Sequence, residues 1–186
     1  KGLDFPRVTL VGVISADSEL LFPDFRAGER TFQLLTQVAG RAGRKDKEGE
    51  VVIQTYTPDH YSLFYVRSHD YEHFFKAELK DRRELDYPPY SRMINILFRG
   101  PREEAVARVS RRYAEGLQPQ TCFRMLGPVP ATLSKIENNF RYQILLISSK
   151  QNDPGGQKTR EAVRSAMAQF KERHRSREVQ VSIDVD

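Results

Sequence analysis

Two adjacent prolines constrain this chain more than any other feature. In Asp86-Tyr87-Pro88-Pro89-Tyr90, each ring fixes φ and removes a backbone donor, and each proline pushes the residue before it toward extended backbone. No helix continues through such a segment, so the residues before and after it must bury separate apolar faces. A chain of 186 residues is long enough for two such bodies. A junction is therefore expected here, with domains over residues 1–86 and 91–186.

Upstream, residues 8–14 form a continuous apolar, β-branched run of the kind found in a strand buried on both faces of a parallel sheet. Residues 28–38 read as a helix, with Phe32, Leu34, Leu35 and Val38 apolar and Gly40 breaking the pattern. Residues 49–56 read as a second buried strand. Thr57 then offers an N-cap with Pro58 at the first helical position, opening a helix that runs to about Leu85. Strand, helix, strand, helix is the order of an α/β unit.

Downstream the order is βαββαβ. A strand over 93–99 precedes a helix over 102–117 with Ala105, Val106, Val109, Tyr113 and Leu117 on one face. Strands over 132–137 and 140–148 are joined by a turn at Asn138-Asn139. After a loop over 152–156, a second helix carries Ala162, Val163, Ala166, Met167 and Phe170 on one stripe. Val179, Val181, Ile183 and Val185 then alternate with polar residues in a last strand. Two helices on one face of a four-stranded sheet is the ferredoxin-like, split βαβ arrangement.

Charge divides along the same line. Residues 1–90 carry 13 Lys and Arg against 15 Asp and Glu, whereas residues 91–186 carry 17 against 10. The basic half is the one expected to meet a polyanion, nucleic acid first. No apolar run approaches the roughly 20 residues of a membrane span, and the N-terminus lacks the apolar core of a signal peptide. Cys122 is the only cysteine, so neither an internal disulfide nor a cysteine-built zinc site is expected within this chain. A cytoplasmic location follows. The chain opens in mid-pattern without a methionine, as a piece of something longer would.

Two motifs bear on chemistry. His69-Asp70-Tyr71-Glu72-His73 fits the H-x-x-E-H pattern of zinc hydrolases. A third ligand is normally needed, and His60 and His174 have no reason to converge on the pair. Surface histidines on an amphipathic helix account for the run, and no metal is expected. Gln37-Val38-Ala39-Gly40-Arg41-Ala42-Gly43-Arg44 is different. Its glycines leave room for a tight turn and a closely approaching ligand. Its arginines present planar, permanently charged forks that match phosphate oxygens and can neutralise charge developing on a transferring phosphoryl group. Lys1-Gly2-Leu3-Asp4-Phe5 lies directly before the first strand, near where α/β sheets gather ligands.

Together these stretches resemble the fifth and sixth motifs of superfamily 2 helicases, which belong to the second RecA-like lobe. "FPDFRAGERTFQLLTQVAGRAGR", "GEVVIQTYTPDH", "RRELDYPPYSR", "LGPVPATLSKIENNFRYQILL" and the terminal "SIDVD" narrow the resemblance to the bacterial replication-restart DNA helicases, over essentially the whole chain. The resemblance implies part of a parent enzyme that couples ATP hydrolysis to 3′-to-5′ movement on DNA, restarts stalled forks and helps assemble the primosome. Lys1, Gly2, Asp4 and Phe5 match the fifth motif, with Lys1 and Gly2 toward DNA and Asp4 toward the nucleotide. Gln37, Gly40, Arg41, Gly43 and Arg44 match the sixth. Arg44 is then the arginine finger, Arg41 its phosphate-binding companion, and Gln37, Gly40 and Gly43 lie at the nucleotide.

By the same resemblance, the basic half binds forked and single-stranded DNA and helps dock the acidic tail of single-stranded-DNA-binding protein. Arg141, Tyr142 and Gln143 are the candidate DNA contacts. Tyr142 either stacks on a base or, by alternation, faces the core with Ile144 and Leu146. Lys150, a charge beside the strand end, is the candidate partner contact. The chain has no G-x-x-x-x-G-K-[ST] loop, no D-E-x-H motif for magnesium, and none of the cysteine-rich zinc module that the family carries upstream. The site for ATP with Mg2+ is thus expected to be completed by a lobe outside this chain, zinc to belong to the parent, and this stretch alone to lack ATPase activity. The alternative from another class is a non-enzymatic nucleic-acid-binding module in which the Gly-Arg loop is structural.

Overall fold

A computed structural model describes residues 8–40, 42, 49–117, 121–173 and 178–186. The chain divides into two units, one ending at Asp81 and the other starting at Arg82.

In the first unit, β1 (Leu10–Val13) pairs in parallel with β2 (Glu50–Ile53), Leu10 opposite Glu50 and Val13 opposite Ile53. The apolar runs lead one to expect strands buried on both faces. Instead, Val11, Val13, Val51 and Ile53 are half-buried, whereas Leu10 and Val52 on the other face are 59% and 51% exposed. The core lies on the first face. There Ala16, Leu20 from α1 (Asp17–Leu20), Phe32 and Leu35 from α2 (Ala27–Ala39), Leu63 and Val66 from α3 (Tyr61–Arg67), and Phe74 from α4 (Tyr71–Glu84) come together. Phe32 and Phe74 stack with ring centres 4.2 Å apart.

The single helix expected over 57–85 is two. Thr57 does not cap it, because the Asp17 carboxylate accepts from the hydroxyls of Thr55 and Thr57 and from the Tyr56 N–H, holding this stretch extended. His60 caps α3 instead, its Nδ1 accepting from the Ser62 N–H. The break between α3 and α4 falls at His69, whose φ is 52°. Asp70 then restarts the helix by accepting from the His73 N–H. At its far end α4 closes in a Schellman arrangement: Asp86 takes a left-handed φ of 57°, and the N–H groups of Tyr87 and Asp86 donate to the carbonyls of Arg82 and Arg83. The two prolines follow at once.

In the second unit four strands run in the order β4-β5-β3-β6, each antiparallel to its neighbours. These are β3 (Ser91–Gly100), β4 (Arg124–Ile136), β5 (Asn139–Ser149) and β6 (Gln180–Val185); α5 (Glu103–Gly116) joins β3 to β4 and α6 (Gln157–Arg173) joins β5 to β6. Each helix thus links two strands separated by a third, the split βαβ pattern. Ile94, Ile96, Phe98, Ile144 and Leu146 from the central strands meet Val106, Val109, Tyr113, Val163 and Ala166 from the helices in one buried core.

Two expectations shift within this unit. The strand read over 132–137 begins at Arg124, because Gly127, at φ +93°, and irregularities after Leu126 and Pro130 let it continue through a Gly-Pro pair. Its edge position tolerates prolines that a central strand would not. The hairpin turn is Glu137-Asn138 rather than Asn138-Asn139, since both residues take the positive φ, 48° and 60°, that a tight two-residue turn requires.

Candidate functional site

Alternation along β5 sorts the three residues expected to bind DNA. Tyr142 lies opposite Phe98 and packs against the buried core, its hydroxyl 3.3 Å from the Glu103 carboxylate. Burial, then the Glu103 charge, holds its phenol above the ordinary value. The core-facing alternative is the one realised. Arg141 and Gln143 point to the other face, away from α5 and α6, so the tyrosine does not join them.

On that face the register reveals a residue that the sequence reading passed over. Arg99 on β3 is directly opposite Arg141 on β5, and on its other side directly opposite Gln180 on β6. One layer along, Gln143, Leu97 and Ser182 form the next row. Leu97, Arg99, Ile136, Arg141, Gln180, Val181 and Ser182 line a recess of about 370 Å³. Arg141 Nη1 donates to the Leu133 carbonyl at 3.3 Å, and neither arginine is ion-paired with a described carboxylate. Alternation over 93–99 already placed Arg99 opposite in sense to Phe98. The strand partners, which sequence does not supply, were needed to bring it beside Arg141.

Lys150 is exposed just beyond β5, its N–H donating to the Tyr90 carbonyl. Nine residues of extended chain, roughly 30 Å, separate it from Arg141, so the two do not share a site. At this end of the sheet the arrangement is structural. The Arg92 guanidinium donates to the Asp153 and Pro154 carbonyls, and Asp153 serves the start of α6.

In the first unit, Gln37 lies on the last turn of α2, exposed, with its amide unpartnered among the described residues. Gly40 follows as the C-cap, its N–H donating to the Thr36 carbonyl. Its φ of −67° is open to any residue, so the tight turn expected of this glycine is not what occupies it. Arg41, Gly43, Arg44, Lys1, Gly2, Asp4 and Phe5 lie outside the described residues. His69 sits in the turn before α4 and His73 on its first turn, bonded to Asp70 at 2.7 Å, so the two histidines do not form a helical pair. Among the described residues no cluster of potential ligands could hold a metal ion, and no helix is long and apolar enough to cross a membrane.

These features define a mixed α/β chain whose basic second unit presents paired arginines on the open face of an antiparallel sheet. Residues 83–186 match the family model for the primosomal protein N C-terminal domain. The whole chain is 41% identical over 189 residues to replication restart protein PriA of Bacillus subtilis, covering 100% of this chain and 23% of that protein. PriA of Synechocystis sp. is 46% identical over 149 residues, 78% of this chain and 18% of the relative. PriA of Rickettsia felis is 42% identical over 150 residues, 81% and 23%. The chain belongs to the PriA family, with residues 83–186 forming the family's C-terminal domain. It spans less than a quarter of the length of these relatives.

Proposed function

We propose that this chain is part of an ATP-dependent 3′-to-5′ DNA helicase that restarts stalled replication forks and helps assemble the primosome in the cytoplasm. The observation that carries the reading is that similarity to a replication restart protein runs through both units, not the second alone. In this reading the first unit is the C-terminal part of a second RecA-like lobe. The second is a ferredoxin-like domain that binds forked and single-stranded DNA, single-stranded-DNA-binding protein and other primosome proteins, with Lys150 as a partner contact.

The parallel β1–β2 pair supports the lobe assignment, since its exposed apolar face is the kind that parallel sheets ordinarily cover. The exposed amide of Gln37 at a helix end, without a partner among the described residues, fits a group that meets a phosphate chain. Arg41 and Arg44 would follow it as the wall of a site for ATP with Mg2+ completed by a lobe outside this chain. Gly40 and Gly43 would leave room for the phosphates, Asp4 would lie at the nucleotide, and Lys1 and Gly2 would lie toward DNA. ATP supplies the free energy of translocation; the arginines supply fixed positive charge where the γ-phosphate departs. Zinc would belong to the parent, as this chain offers only a buried Cys122. Alone, this stretch would not turn over ATP.

In the full-length protein, Arg44→Ala is predicted to lower DNA-stimulated hydrolysis by about 10³-fold or more, with DNA affinity within a factor of about two. Steady-state ATPase assays and fluorescence anisotropy measure the two, and an unchanged turnover rate would remove the finger role. The basic balance of residues 91–186 favours one second reading, a non-enzymatic nucleic-acid-binding module. That reading gains if Arg41 and Arg44 prove dispensable in the full-length protein while the second unit carries all the DNA affinity.

A further inference from the structure

Like charges directly opposite one another on neighbouring strands repel and destabilise a sheet. Arg99 and Arg141 are such a pair, on the two central strands of the second unit, with the neutral Gln180 completing the row. No described carboxylate compensates them. Asp184, on the same face, lies opposite Asn95, four residues along β3 from Arg99, or roughly 13 Å of extended chain. A cross-strand arginine pair without an acid is an arrangement that an anion would relieve.

The recess beside the pair narrows the choice of anion. Arg99 and Arg141 supply the charge, Leu97 and Ile136 contribute apolar surface, and Gln180 and Ser182 offer neutral hydrogen-bonding groups. A free inorganic anion needs only the arginines. A strand of nucleic acid presents a phosphate together with a flat, partly apolar base that carries donors and acceptors. The base reaches such a recess only when it is not paired within a duplex.

We propose that Arg99 and Arg141 clamp a phosphate of single-stranded nucleic acid on the open sheet face, with the adjoining recess taking the neighbouring base. This deepens the DNA-binding role given above to the second unit and rests on it. Arg99 and Gln180 join Arg141 in the contact, while Tyr142, turned into the core, lies outside it.

The test uses the 186-residue chain and a short fluorescein-labelled single-stranded DNA oligonucleotide, read by anisotropy across a salt series. The doubly substituted Arg99→Gln, Arg141→Gln protein is expected to lose about tenfold or more in affinity at low salt. The slope of log affinity against log salt should fall by about 0.7, the value of one single-strand phosphate contact. Arg99→Lys with Arg141→Lys keeps the charge and loses the planar fork; it should restore the slope but only part of the affinity. Both variants should melt within a few degrees of the unsubstituted chain, since the glutamine pair trades the repulsion for the lost Arg141–Leu133 hydrogen bond and the lysine pair keeps both charges in place. Loss of binding would then not be loss of fold. A duplex of the same sequence should be affected less than the single strand.

If the chain binds the oligonucleotide and the glutamine variant retains its affinity and slope, the clamp is wrong and the DNA-binding role of the unit stands. Equal losses for duplex and single strand would overturn the base-accepting recess. If the unsubstituted chain does not bind DNA even at low salt, the clamp and the DNA-binding role both fall.

Discussion

Asp153 ties the start of α6 to the sheet through one carboxylate. Its Oδ2 accepts from the Thr159 N–H at 2.9 Å and from the Thr159 hydroxyl at 2.8 Å. The Thr159 and Ser148 hydroxyl oxygens lie 3.0 Å apart, and Ser148 donates in turn to the Cys122 carbonyl. The backbone N–H of Thr159 is the largest cause holding the Asp153 carboxyl below its ordinary 3.8, and it outweighs the opposing effect of burial. A depressed folded-state pKa means that the unfolded chain takes up the proton first. The stabilisation is therefore whole above the unfolded value and is lost as pH falls through the folded one. Asp153→Asn is predicted to melt several degrees lower than the parent at pH 7, with the gap closing as pH is lowered below about 4. Thermal melts at both pH values check this; a gap that does not change with pH would show that the charge is not what matters. The sequence reads 152–156 as a loop and misses this role, because the partners of Asp153 lie on a strand and a helix that only the folded chain brings together.

Elements were legible where one periodicity prevailed and less so where a local bond overrode it. The expected helix over 28–38 differs by only one residue at each end from the observed α2, because an apolar stripe and a breaking glycine act within one segment. The helix expected over 57–85 divides because His69 and Asp70 form a turn and a cap, features whose signal is no stronger than that of an ordinary polar helix surface. Alternation leaves Tyr142 open between two faces and gives Arg99 no neighbour, for the same reason: it tells which residues of one strand share a face, while the strand register tells which residues of neighbouring strands meet there. Two element-level predictions follow from the observed ends and packing. Asp86→Gly places glycine at the left-handed position that ends α4 and is predicted to stabilise the chain by about 0.5–1 kcal/mol, measurable by urea denaturation. Phe98→Ala removes a fully buried ring that meets Tyr113 edge-on at 5.4 Å. It should lower stability by about 3–5 kcal/mol, and a loss below about 1 kcal/mol would mean that the sheet and helices close over the cavity.

At the scale of the molecule, the double proline does what its chemistry requires: α4 has ended, and a new core begins within a few residues. That core is self-sufficient in its sources. All of its buried members, from Ile94 to Ala166, belong to the second unit. The turn leading into β3 is fastened from within as well, the Ser91 hydroxyl donating to the Asp86 carbonyl and the Tyr87 N–H to the Arg82 carbonyl. Residues 82–186 are therefore predicted to fold without the first unit. Expressed alone, they should unfold in one cooperative transition, with calorimetric and van't Hoff enthalpies in agreement. A start at residue 91 removes the acceptor of the Ser91 hydroxyl and the last turn of α4, and should lower the midpoint without abolishing the transition. A non-cooperative melt of 82–186 would show that this core depends on the residues before it. If the piece folds and binds single-stranded DNA with the salt slope of the whole chain, the phosphate contacts reside in the second unit. A markedly steeper slope for the whole chain would instead assign part of them to the residues before Arg82.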